Sequence, residues 1–176
     1  MPSKRIWQKT VKCDNWSDAT INVHITESDK RKIEGINVEV SYVNPNRLGM
    51  DFDNFSNDSH DYIPNLSVAD IIQLINRLEL LGENIIREAL KSKTLLHRFG
   101  LELDSRRKLD FDIGINPTSG EEEITMHYED LLRNLERFKI GRIDVRNLSK
   151  LVRVLKEAYI EYNQLILKSL LLKELL

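Results

Sequence analysis

The sequence predicts an α+β fold in which antiparallel β-hairpins pack with two long helices and one short one. Three observations carry this. Residues 144–176 hold apolar side chains at spacings of three and four, the period of a helix. Residues 67–99 hold a second such stripe, opened by a capping residue. Four short stretches, 21–26, 36–42, 109–115 and 123–128, alternate apolar and polar side chains, as strands with one wet face do. The expected organisation is a single domain over 1–176, with 165–176 as an oligomerisation arm.

Taken in order, residues 5–13 are β-prone and form a first strand, followed by a turn at 14–18. Ile21, Val23 and Ile25 alternate with Asn22, His24 and Thr26. Ile36, Val38, Val40 and Tyr42 alternate with Asn37, Glu39 and Ser41, so these two strands make a hairpin that Asn44-Pro45-Asn46 stops. His24 falls on its polar face and reads as an exposed bystander. Leu48, Met50 and Phe52 suggest another strand, and residues 54–61 a polar loop. Ser67 is an N-cap with Asp70 three residues on, the spacing of a capping box. The helix it opens runs along Ile71, Leu74, Ile75, Leu78, Leu81, Ile85 and Ala89, and Leu95, Leu96 and Phe99 continue its apolar side. Gly82 lies on that stripe, which predicts a close helix crossing there.

Leu109, Phe111, Ile113 and Ile115 alternate with Asp110, Asp112 and Gly114, residues 116–120 turn the chain, and Ile124, Met126 and Tyr128 return it as a second hairpin. Leu131, Leu132, Leu135 and Phe138 read as a short amphipathic helix over 129–138, ended by Gly141. The last helix presents Leu148, Leu151, Val152, Leu155, Ala158, Tyr159 and Tyr162 to the core. Beyond Gln164 leucines surround its axis, and such a helix must be buried on every side. That run is too short and too charged to span a bilayer.

Net charge is −2, which disfavours a phosphate-neutralising domain. One cysteine, Cys13, excludes an intramolecular disulfide and a cysteine-rich zinc site. No apolar leader is visible, so the chain reads as cytoplasmic. Its Lys-, Asn- and Ile-rich composition suggests a microbial or viral source.

Asp110 and Asp112 share a strand face, Asp51 and Asp53 repeat the spacing, and His127 belongs to the facing strand. Paired carboxylates of this kind can hold Mg²⁺ or Mn²⁺, although alternating aspartates are also what any wet strand face shows. Asp112-Ile113-Gly114-Ile115-Asn116 resembles the first strand of RuvC-type nucleases over five residues. That resemblance implies further strands and acidic ligands downstream, where this chain offers two helices. The segment Arg47–Asp53 also echoes Arg106–Asp112 around a shared Asp-Phe-Asp.

No catalytic, cofactor or metal residue is assigned. The function expected from the sequence is non-enzymatic: a self-associating cytoplasmic homodimer that binds another protein, as inhibitors, immunity proteins and adaptors do. Its self-association face would be Ile160, Leu167, Leu171 and Leu175. The alternatives are a metal-dependent phosphodiesterase or nuclease using Asp110, Asp112 and His127, and a nucleic-acid binder. The binder would use Arg106, Arg107 and Lys108 with Arg133, Arg137, Lys139 and Arg142.

Overall fold

A computed structural model describes residues 3–12, 20–41, 62–82, 97–104, 107–115, 122–131, 135–144 and 147–175. Its class is α+β. The order of elements is β1 (Lys4–Lys12), β2 (Thr20–Glu27), β3 (Ile33–Ser41), β4 (Tyr62–Leu66), α1 (Val68–Leu81), β5 (His97–Asp104), β6 (Arg107–Ile115), β7 (Glu122–Asp130), β8 (Leu135–Asp144) and α2 (Leu148–Leu175). Each half is thus a four-stranded antiparallel meander followed by a helix, and the strands pair in chain order in both sheets.

The period-two stretches bury their apolar side as expected. Ile21, Val23, Ile25, Ile36, Val38 and Val40 are buried from the first sheet, and Leu109, Phe111, Ile113, Ile124, Met126 and Tyr128 from the second. Leu148, Leu151, Val154, Leu155 and Ala158 of α2 join the same core, as do Ile71, Leu74, Ile75 and Leu78 of α1. α2 lies across β1, β2 and β3 and packs on α1, while β8 approaches β3.

The predicted capping box forms. The Ser67 hydroxyl accepts from the Asp70 N–H at 3.1 Å, and the Ser67 N–H donates to Asp70 Oδ2 at 3.0 Å. The helix it opens is shorter than predicted. Gly82 ends α1 in the left-handed region, at φ 42°, with its N–H on the Leu78 carbonyl. Gly82 is therefore a cap and not a crossing, since a side chain there would meet little but the Glu79 carbonyl at 3.7 Å.

Two strands replace predicted helix. Phe99 lies in β5 and not at the end of a long helix. Among the described residues the short helix expected over 129–138 is not seen: residues up to 130 belong to β7, and 135–144 form β8. The register explains why β8 was illegible. It slips between Met126 and His127 and again between Tyr128 and Asp130, so bulges break the period of two. β4 was also missed. It carries Pro64, which a strand at the sheet edge tolerates.

β4 also explains one glycine. A Cβ on Gly35 would stand 2.6 Å from the Asn65 backbone, so only glycine lets β4 close on β3. Asn65 itself is left-handed, at φ 52°, and its N–H donates to Asn37 Oδ1 at 3.0 Å. The suggested strand at 48–52, the loop at 54–61, the turn at 116–120, Cys13 and the helical positions Ile85, Ala89, Leu95 and Leu96 lie outside the described residues. Of the Asp-Phe-Asp echo, Asp110–Asp112 belongs to β6, and 47–53 lies outside the described residues.

Candidate functional site

β1 separates charge in a way the whole-chain balance conceals. Its sequence, Lys-Arg-Ile-Trp-Gln-Lys-Thr-Val-Lys, holds four cations and no carboxylate. Ile6, Trp7 and Val11 are half-buried against the core and fix the strand to β2. Lys4, Arg5, Lys9 and Lys12 are exposed. The strand is at the edge of its sheet. α2 adds one more cation, for Lys150 Nζ donates to the Lys12 carbonyl at 3.2 Å. Two carboxylates moderate the field. Lys9 pairs with Glu157, and Arg5 lies 3.8 Å from Glu39.

Beside these cations runs a row of hydrogen-bonding side chains. Gln8 faces His24 in register and Thr10 faces Asn22. Asn22 Nδ2 donates to Thr10 Oγ1 at 2.6 Å, and His24 Nδ1 lies 3.0 Å from Asn22 Oδ1. His24 is no exposed bystander, as only 5% of its surface is open. Its burial, and then the charge of Arg5, push its pKa down from 6.5 to about 4, so it is neutral at physiological pH.

The second sheet brings Asp110, Asp112 and His127 together, as the sequence suggested. Asp110 stands opposite His127 in register, and Asp112 Oδ2 lies 3.5 Å from His127 Nδ1. Gly100 sits opposite Asp110 on the other side, and a Cβ there would stand 2.7 Å from its carboxylate. Lys108 Nζ lies 3.9 Å from the same carboxylate. The arrangement is a Lys108–Asp110 pair along β6 and an Asp112–His127 contact across to β7. Among the described residues no three His, Cys, Asp or Glu side chains are placed to hold a metal ion.

Of the basic set expected for nucleic acid, Lys108 lies beside Asp110, and Arg137, Lys139 and Arg142 belong to β8. Arg107 is engaged within the fold, 3.6 Å from Asp70 and donating to the Asn65 carbonyl. It also meets Tyr128, whose hydroxyl donates to Asp130 at 3.2 Å and whose pKa burial raises to about 12. Lys139 and Arg142 stand opposite His127 and Thr125. Arg106 and Arg133 lie outside the described residues. The sequence did carry the signal at β1, since four cations within nine residues without an acid are visible there; what it lacked was the strand's place at a sheet edge.

Ile160, Leu167, Leu171 and Leu175, expected at an interface, are all exposed, at 55%, 58%, 52% and 82%. No described helix is long and apolar enough to cross a membrane.

No protein-family model matches this chain, and no curated protein matches it in sequence. Solved structures do. WHY1 from Arabidopsis thaliana is 11% identical at a TM-score of 0.37, covering 90% of this chain and 86% of that one. WHY3 from the same plant is 11% identical at 0.36, covering 90% of each. The plant transcriptional regulator PBF-2 is 14% identical at 0.38, covering 96% of this chain and 89% of that one. The function expected from the sequence, a protein-binding homodimer with nucleic acid an unlikely partner, is corrected: a near-neutral total does not exclude nucleic acid when the charge is segregated as it is on β1.

Proposed function

We propose that this chain binds nucleic acid, single-stranded in preference to duplex, along β1 and the polar row beside it. The observation that carries this is the charge of β1: four exposed cations, no carboxylate, at a sheet edge, in a chain of net charge −2. A phosphate backbone is the polyanion such a strip neutralises, with release of its counterions. Gln8, Thr10 and Asn22 supply neutral donors and acceptors for base or sugar edges. Single strands are favoured because neither helix presents a basic face for the major groove. The outer side of α1 carries Gln73, Asn76, Arg77 and Glu79, and that of α2 mixes Arg153 and Lys156 with Glu157 and Glu161. A strand-borne basic strip at a sheet edge is the kind of surface that tracks an unpaired strand. A single cysteine suits the reducing cytoplasm, where we place this activity.

The test is fluorescence anisotropy with a labelled oligothymidylate across a salt series, against the same length of duplex. With three to four phosphates neutralised, log K should fall with log salt at a slope of about −2 to −3. Lys9→Gln with Lys12→Gln should flatten that slope by about 1.4, at roughly 0.7 per contact, and weaken every sequence alike. No binding at low salt, or a double variant that binds as the parent does, would refute the assignment.

A further inference from the structure

The far end of α2 exposes apolar side chains that the proposed nucleic-acid binding does not explain. α2 spans 28 residues, about 42 Å at 1.5 Å each. Its buried residues stop at Ala158. From Tyr159 onward no described residue is buried. Over that stretch Ile160, Leu167, Leu170, Leu171, Leu172 and Leu175 each expose more than half of their surface. At about 100° per residue, Ile160, Leu167, Leu171 and Leu175 form one line on the side opposite Leu151, Leu155 and Ala158. The first sheet takes up the inner side and leaves the outer one bare.

We infer that this outer side pairs with the same segment of a second copy of the chain, through Ile160, Leu167, Leu171 and Leu175. Area is the first ground. The four side chains of that line present roughly 400 Å² of apolar surface and Leu170 and Leu172 flank it, so two copies face to face would bury about 800–1,200 Å², the low end for specific interfaces. Charge is the second. Between Tyr162 and Leu172 the only charged residue is Lys168, and Lys173 and Glu174 follow it with opposite signs. A helix that lies on a lipid surface carries a cationic polar face, which this one lacks. An uncharged leucine line is its own complement, and a two-fold axis seats it on itself without a partner of other chemistry.

Sedimentation equilibrium on the full chain, over a concentration series, is the experiment. The parent should weigh at least twice 20.6 kDa at tens of micromolar. Leu167→Lys with Leu171→Lys should return it to 20.6 kDa with an unchanged circular dichroism spectrum, because both side chains are exposed in the single chain. Leu80→Lys, on the 72% exposed leucine of α1, controls for added charge and should keep the parent's mass. A parent at 20.6 kDa overturns the inference, and so does a double variant that keeps the parent's mass. A monomeric parent that floats with anionic vesicles overturns it too, and would give the face to a membrane.

Discussion

Gly35→Ala is the sharpest test of how β4 is held. The added Cβ would lie 2.6 Å from both the Cα and the carbonyl carbon of Asn65 and 2.9 Å from the Leu66 carbonyl oxygen. All three are backbone atoms, so no side chain can swing away. β4 would have to retreat about 0.8 Å, the difference between 2.6 Å and ordinary contact at 3.4 Å. That movement loosens the pairs Ile36–Leu66 and Val38–Ile63 and lifts Leu66 and Ile63, now 0% and 1% exposed, from the core. It also stretches the 3.0 Å bond from the Asn65 N–H to Asn37 Oδ1. Overpacking of this kind costs about 1–3 kcal/mol, and a backbone-only clash belongs near the top of that range. Urea denaturation followed by circular dichroism should show the midpoint falling by about 1 M or more for a slope of 1–3 kcal/mol/M. The slope itself should be unchanged. A variant within about 0.5 kcal/mol of the parent would mean that β4 does not close on β3 as described.

Other outcomes follow from the polar groups. His24 takes a proton near pH 6.5 in the unfolded chain but only near 4 in the fold, so its stabilising contribution is whole above 6.5 and is lost as pH falls towards 4. The loss should reach about 2–3 kcal/mol, and urea midpoints between pH 7 and 4 should fall less steeply in His24→Gln. Arg107→Met leaves Asp70, which is 5% exposed, without its cation, and should cost about 2–3 kcal/mol in the same assay. Adding Asp70→Asn should recover part of that loss, and strict additivity of the two would show that they do not interact.

Much of the fold was legible because local chemistry set it. The alternation at 21–26, 36–42, 109–115 and 123–128 decided which side of each strand is buried, since the side-chain period of a strand is two. Ser67 and Asp70 fixed the start of α1 by hydrogen bonds that span three residues. Past Gln164, Leu167, Leu170, Leu171, Leu172 and Leu175, expected to be buried on every side, are exposed in the single chain. Asp110, Asp112 and His127 were placed together correctly, because a hairpin's register follows from its own two strands.

What the sequence could not decide depended on partners distant in the chain. β5 and β8 are strands because they complete a sheet: β8 carries bulges that erase its period, and only its hydrogen bonds to β7 select strand over helix. Arg107 looks like a phosphate ligand until Asp70, 37 positions away, is found beside it. His24 sits at a polar position of its strand and is buried all the same, which the pattern of one strand cannot show. β1 carries its four cations openly in the sequence, but whether they line a sheet edge or lie beneath a neighbour is settled by strand order. Burial and charge segregation are properties of surfaces assembled from remote segments, and so only the tertiary structure sets these four cations at a sheet edge.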